Sequence, residues 1–186
     1  MNVYDFDGTI YDGDSTVDFY FFCLKRHMEI IQCLPCQIRA FIKYKLKKIS
    51  KTKFKSEFFS FVGILKTPKE EVKEFWNENE KKIKLWYLKK KSEDDIIISA
   101  SPEFLLQEIC GRLKIDRLIA SDVDTYTGIF KSENCYGEEK VKRFLKKYDK
   151  DSVEEFYSDS YSDKPMANLA KHAYIVKKNK VEVWKK

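Results

Sequence analysis

Four aspartates crowd one short stretch near the start of the chain, VYDFDGTIYDGDS over residues 3–15: Asp5, Asp7, Asp12 and Asp14. Asp5 follows an apolar stub and Asp7 comes two residues later. Carboxylates held this close repel one another unless a cation compensates them. Two later apolar runs also end in polar groups. IIISAS closes on Ser99, Ala100 and Ser101, and VEEFYSDSYSD sets Asp159 and Asp163 behind a hydrophobic segment. Carboxylate oxygens gathered in one crevice select a hard cation such as Mg2+. Ser99, with the free N–H groups at the start of the helix that follows it, suits an anion. Lys140, near the start of GEEKVKRFLKKY, adds a point positive charge. Cation, hydroxyl, helix N-terminus and lysine together describe a phosphate site, provided that the three segments meet.

Their meeting depends on the elements that carry them. Asn2 to Phe6 reads as a short buried strand. DDIIISAS is a second, RLIAS a third and VEEFYSDS a fourth, with AYIVKK and VEVWKK closing the chain. Helices are expected in SPEFLLQEICGRL, GEEKVKRFLKKY and DKPMANLAKH, and a small hairpin in DVDTYTGIF. Strands alternating with helices specify an α/β parallel sheet, and such sheets bind ligands beyond the carboxyl ends of their strands. Ser101 reads as a helix cap with Pro102 at the first helical position. Asp14 reads equally as a cap or a substrate contact.

Between the first two strands, from Ser15 to about Lys90, the pattern is helical throughout. DSTVDFYFFCLKRHMEII is capped by Asp14 or Ser15 and broken by Pro35. CQIRAFIKYKLKKI places Ile38, Phe41, Ile42 and Leu46 at helical spacing. TKFKSEFFSFVGIL is a third helix, and TPKEEVKEFW a fourth with Thr67 as N-cap. The chain therefore divides into an α/β core, residues 1–13 and 91–186, and an inserted helical cap, residues 14–90.

The chain has 186 residues and a net charge of +6, unevenly placed: Lys25 to Lys55 holds ten lysines and arginines against one acid, Glu29. A basic, aromatic segment attracts anionic partners. Its simplest reading is a cap whose aromatics pack inward and whose lysines are solvated. An anionic membrane surface ranks second and nucleic acid last. No apolar run is long enough to cross a membrane, and Asp5 and Asp7 interrupt any signal peptide. Five cysteines without an export signal read as free thiols in the cytoplasm. Cys33 and Cys36, in CLPC with Cys23 and His27 upstream, could be counted as metal ligands, but buried apolar cysteines are the better reading. Nothing in the sequence specifies an oligomeric state.

The four motifs together resemble the haloacid dehalogenase superfamily: DFDGT at Asp5 to Thr9, SAS at Ser99 to Ser101, Lys140 in GEEK, and SDSYSD at Ser158 to Asp163. Their order and spacing are similar to the phosphoserine-phosphatase-like branch. That resemblance implies a Rossmann-like, doubly wound parallel sheet and a Mg2+-dependent phosphatase. Asp5 would be the nucleophile and form an aspartyl-phosphate, with Asp7 as general acid and base. The metal would be held by Asp5, the Asp7 carbonyl and Asp159, with Asp163 either a further ligand or a residue supporting the ligands, and the phosphate by Ser99, Ala100, Lys140 and Thr9. Asp12 and Asp14, at the cap junction, would bear on substrate choice. Asp7 favours phosphatase over dehalogenase chemistry, because a leaving halide takes no proton. The first motif reads DGT where many phosphoserine phosphatases have DST, and the fourth lacks the form GDGxND, so phosphoserine is one candidate among small phosphomonoesters. Lipid phosphates of the phosphatidylglycerophosphate kind are another. Phosphotransfer to an acceptor other than water, or a regulatory protein that keeps its aspartyl-phosphate, would share the same residues.

Overall fold

The computed structural model describes residues 1–185. Six strands form one sheet: β1 (Asn2–Tyr4), β2 (Ile96–Pro102), β3 (Arg117–Ser121), β4 (Glu155–Ser158), β5 (His172–Lys177) and β6 (Lys180–Val183). Their order is β3-β2-β1-β4-β5-β6. All neighbours run parallel except β5 and β6, which form a closing antiparallel hairpin. β1 lies between β2 and β4, so the carboxyl ends that carry Asp5, Ser99 and Asp159 sit side by side. The α/β parallel architecture expected from the alternation of elements is the one observed.

Helices α1 (Ser15–Arg26), α2 (Leu34–Lys45), α3 (Lys51–Phe58), α4 (Pro68–Asn79) and α5 (Leu85–Lys90) fill the interval between β1 and β2. α6 (Glu103–Leu113), α7 (Glu138–Leu145) and α8 (Lys164–Ala167) follow later strands. The Asp14 carboxylate caps α1 by accepting from Val17 N at 3.0 Å. Pro35 does not break this helix. α1 has already ended at Arg26, a 3-10 stretch covers Met28–Cys33, and Pro35 stands in the first turn of α2. A missing N–H costs nothing there, since first-turn amides have no helical partner. Thr67 occupies the N-cap position of α4, but its hydroxyl makes no capping bond. Ser101 is not a cap either: it lies within β2, and Pro102 takes the N-cap position of α6.

Residues alternate between the two faces of the sheet, as a strand's period of two requires. Val3, Ile96, Ile98, Phe156 and Ile175 pack with Phe144 and Met166, from α7 and α8. Tyr4, Ile97, Tyr157 and Val176 face the other way, toward Leu105 and Ile109 of α6 and toward Phe19, Phe75, Trp76 and Tyr87. The aromatics of α1, α4 and α5 thus share one core with the sheet. Trp76 Nε1 donates to the Leu105 carbonyl at 2.7 Å, and the rings of Tyr4 and Tyr157 stack at 4.8 Å. α2 and α3 are peripheral: α2 buries only Gln37 and Ala40, and α3 has no buried residue. Gln37 ties the pair to α1, accepting from Tyr20 and donating to the Phe58 carbonyl.

His27 and the cysteines are not gathered into a cluster of three or more metal-ligand side chains among the described residues. His27 Nε2 lies 2.8 Å from Glu71 Oε1, and all five cysteines are free. Cys23, Cys110 and Cys135 are buried as expected, whereas Cys33 is half-buried and Cys36 exposed, because Pro35 and Cys36 start the outward face of α2. No helix among the described residues is long and apolar enough to cross a membrane.

The DVDTYTGIF segment bends back through a single bridge between Val123 and Phe130. Gly128 makes the bend, with φ +71, and a Cβ there would run into the Phe59 carbonyl. Gly128→Ala therefore combines a left-handed backbone with a backbone clash. Unfolding in urea should show a loss of about 3 kcal/mol, and an unchanged midpoint would mean that this loop does not bear on the helical segment.

Candidate active site

The carboxyl ends of β1, β2 and β4 open on a crevice of about 660 Å³. Asp5, Asp7, Asp14, Ser99, Ala100, Lys140, Asp159 and Asp163 line it, so residues from all four sequence motifs meet in one place. Asp5 extends β1 by one backbone bond, its N–H donating to the Tyr157 carbonyl at 2.8 Å. α7 begins after Gly137, whose φ of +57 turns the chain so that Lys140 enters the core. Lys140 Nζ donates to Asp5 Oδ1 at 2.7 Å and to Asp163 Oδ2 at 2.6 Å. Asp163 Oδ2 also accepts from Ser158 Oγ at 2.9 Å.

Asp7 is held differently. Its Oδ1 accepts from Ser15 N at 2.6 Å, and its Oδ2 accepts from Ser101 Oγ. Ser101 Oγ in turn lies 3.0 Å from Thr16 Oγ1, at the start of α1. The role expected for Ser101, capping a helix, is thus replaced by contact with a site carboxylate. Ser101 N donates to Ser99 Oγ at 3.0 Å, leaving the Ser99 hydroxyl hydrogen to seek another acceptor. The pairing of β2 with β3 shifts register between Ile98 and Pro102, which turns Ser99–Ser101 out of the regular ladder.

Burial dominates the proton affinities. It pushes Asp5 above the ordinary carboxylate range; the Lys140 ammonium works against this, and the Asp163 carboxylate adds to it. Asp7 is pushed up to about 6 by burial and then by Asp14, against the Ser101 and Ser15 donors that favour its charged form. Asp159 is raised by burial and by Asp163. Burial alone would lower Lys140, but Asp5 and Asp163 outweigh it and hold the lysine above its usual value.

Two of the expected residues stand elsewhere. Thr9 is buried beneath Asp5, its Oγ1 3.5 Å from Asp5 Oδ2, and does not line the crevice. Asp12 is exposed and also outside the crevice lining. Asp14 caps α1, one of the two roles open to it, and also lines the crevice.

Several lining residues carried no signal in the motifs. Lys51 and Lys55, one turn apart on α3, reach into the crevice from the helical segment. Lys55 Nζ donates to the Ala100 carbonyl at 2.7 Å, and Lys51 Nζ lies 3.3 Å from the centre of the Tyr136 ring. Burial, then the charge of Lys51, pushes Lys55 down to about 8. Their spacing of four was visible in KTKFK, but the surrounding run of lysines hid it. Lys84, at the start of α5, donates to the Gly8 and Lys178 carbonyls and so pins the first motif to the β5–β6 turn.

The donor set fits a hard cation. Asp163 Oδ1 is buried and has no hydrogen-bond partner among the described residues. Gly8, with φ +70, leaves room that a Cβ would take from the Asp159 carboxylate. No three His, Cys, Asp or Glu side chains already form a metal cage among the described residues. Mg2+ needs none, since it keeps several waters and binds through one or two carboxylates.

The family described as haloacid dehalogenase-like hydrolase matches residues 3–168. No curated protein matches the sequence. Among solved structures, a protein with unknown function from Bordetella pertussis Tohama I is similar at 16% identity, covering 93% of this chain and 87% of that one, with a TM-score of 0.74. A phosphoserine phosphohydrolase-like protein from Francisella tularensis subsp. tularensis SCHU S4 is similar at 17% identity, covering 93% and 86%, with a TM-score of 0.54. A substrate-bound phosphoserine phosphatase is similar at 15% identity, covering 92% and 82%, with a TM-score of 0.52. At these identities the likeness is one of fold.

Lys140→Met would leave two buried carboxylates facing each other. Urea unfolding in EDTA should show a loss of about 3 kcal/mol, and adding Asp163→Asn should restore part of it. Equal losses in the single and double variants would contradict a charge-compensating role for Lys140.

Proposed function

The chain belongs to the haloacid dehalogenase-like hydrolase family, and from that membership and the crevice we propose that it is a Mg2+-dependent phosphomonoesterase. The observation that carries the reading is the pair of carboxylates Asp5 and Asp7, each oriented by its own donors. Asp5 Oδ1 is held by Lys140, which leaves Oδ2 with only a long contact to Thr9. Asp5 Oδ2 forms a bond to phosphorus while the bond from phosphorus to the leaving oxygen breaks. Asp7 gives its proton to that oxygen. In the second step Asp7 takes a proton from water, whose oxygen attacks phosphorus, and the Asp5–phosphorus bond breaks to return the carboxylate and release inorganic phosphate. An Asp7 held near 6 supplies both protonation states at neutral pH. The Ser99 hydroxyl, the Ala100 N–H and the Lys140 ammonium bind the transferring oxygens. Asp5, the Asp7 carbonyl, Asp159 and Asp163 would hold the Mg2+, which screens the nucleophile from the phosphate charge.

The helical insertion, residues 14–90, serves as the cap, because α3 brings Lys51 and Lys55 to the crevice. Neither lysine is in an ion pair among the described residues, so the leaving group is best matched by one with a second anionic charge. Phosphoserine is one such substrate and a lipid-headgroup phosphomonoester another. The free thiols suit a reducing cytoplasm.

Hydrolysis of an aryl phosphate tests the reaction class. Activity should require Mg2+, vanish in EDTA and fall at least about a thousandfold in Asp5→Asn. Asp7→Asn should trap close to one phosphate per chain on Asp5. Full metal-dependent activity in Asp5→Asn would exclude the mechanism.

Lys55 yields a pH prediction. It loses its charge as pH rises through about 8, so KM for a substrate with two anionic groups should climb between pH 7 and 9. Lys55→Arg keeps the charge and should abolish that climb, while Lys55→Met should raise KM about tenfold at pH 7. A KM unmoved by Lys55→Met would place the second anionic group elsewhere.

A further inference from the structure

α2 packs one side of itself against its neighbours and turns an unusual face to solvent. Gln37, Ala40 and Tyr44 point inward, Tyr44 stacking on Phe54 of α3 at 5.1 Å between ring centres. Outward, at steps of four, stand Ile38, Ile42 and Leu46, which are 56%, 52% and 60% exposed. Phe41 sits one turn after Ile38 and is 47% exposed. On a helix that already has a buried side, a second apolar stripe serves nothing inside the fold.

The stripe is bordered by cations. Arg39 and Lys43 lie along one edge, Lys45 along the other, and Lys47 and Lys48 follow the helix. From Ile30 to Ser56 there are eight lysines and arginines and no acid. An apolar stripe flanked by basic residues on a surface helix is the arrangement that lies in the headgroup region of an anionic bilayer.

We propose that the outward face of α2 docks this protein on an anionic phospholipid bilayer. A second copy of the chain is a poor occupant, because a two-fold contact through this face would set the same flanking cations, Arg39, Lys43, Lys45, Lys47 and Lys48, against each other. Nucleic acid would satisfy the lysines but leave Ile38, Ile42 and Leu46 against sugar and phosphate. A bilayer satisfies both, with headgroups for the lysines and acyl chains for the stripe. The next helix along, α3, carries Lys51 and Lys55 into the crevice, so α2 is joined directly to an element that lines it.

Sedimentation with vesicles tests this, using the full chain and, in parallel, its Asp5→Asn variant. Binding to phosphatidylcholine vesicles containing phosphatidylglycerol is expected, with little to phosphatidylcholine alone and loss in high salt. Lys43→Glu with Lys47→Glu should weaken binding by at least about tenfold, and Ile42→Ser with Leu46→Ser should do the same without changing the charge. Both double variants should hydrolyse a soluble aryl phosphate like the parent, since these residues lie outside the crevice. Asp5→Asn should bind vesicles normally, which separates docking from catalysis. The proposal fails if anionic vesicles are not bound, if the serine variant binds them as well as the parent, or if single-stranded DNA is bound in their place. A concentration-dependent dimer that the serine variant abolishes would also overturn it, by showing that a second copy covers the face.

Discussion

Lys140 Nζ lies between two buried carboxylates, Asp5 and Asp163, and the arrangement of the crevice follows from that one ammonium. Taking each of these charges out of water costs several kcal/mol unless it is paired. Asp5 extends the central strand β1, Asp163 stands just before α8 after β4, and Lys140 comes from α7. One side chain therefore fixes three elements relative to one another. Removing its positive charge leaves a repulsion in a poorly solvated place. Keeping it leaves Asp5 Oδ2 with only a long contact to Thr9 and leaves the buried Asp163 Oδ1 without a hydrogen-bond partner among the described residues.

Asp7 depends on a different set of contacts. Ser15 N and Ser101 Oγ both donate to it, so the acid is oriented jointly by the start of α1 and by β2. Thr16, against Ser101, extends this contact into the helical segment. Whatever moves α1 relative to β2 must therefore disturb Asp7, whereas Asp5 answers to α7. The two carboxylates are two residues apart in sequence and mechanically separate in the fold.

The helical segment is two things at once. Its α1, α4 and α5 are part of the main core, with Phe19, Phe75, Trp76 and Tyr87 packed in the same cluster as Tyr4 and Ile97. Its α2 and α3 bury little, and only Phe58 at the end of α3 packs against that core, its ring 5.0 Å from that of Tyr20. They are held by Gln37, and by Thr52, whose hydroxyl donates to Glu133 at 2.6 Å and accepts from Asn134 N at 3.1 Å. Few buried apolar contacts and several polar ties are what a segment needs if it is to shift over a site without unfolding. The same segment provides the only cations of the helical insertion that line the crevice among the described residues.

The sequence by itself determined whatever depends on short-range pattern. Apolar runs ending in Asp5, Ser99 and Asp159 marked strand ends, and the rule that parallel sheets bind ligands at their carboxyl ends brings those residues together. The strand Arg117–Ser121, the helix at Glu138 and the capping carboxylate of Asp14 were legible for the same reason. Tertiary structure decided everything that turns on a partner far along the chain. Ser101 resembled a cap because a serine before proline and glutamate has that local form, and only the approach of β1 made it a donor to Asp7, 94 residues away. Lys51 and Lys55 were two among many lysines until the packing of α3 turned them inward. Pro35 was equally compatible with ending one helix or starting the next, and the earlier stop at Arg26 settled it. Cys36 was expected to be buried, and Ile38, Ile42 and Leu46 read only as residues at helical spacing, but α2 has a single packed side. Which side of a helix is covered is set by what lies beside it, and a period of 3.6 residues does not encode that.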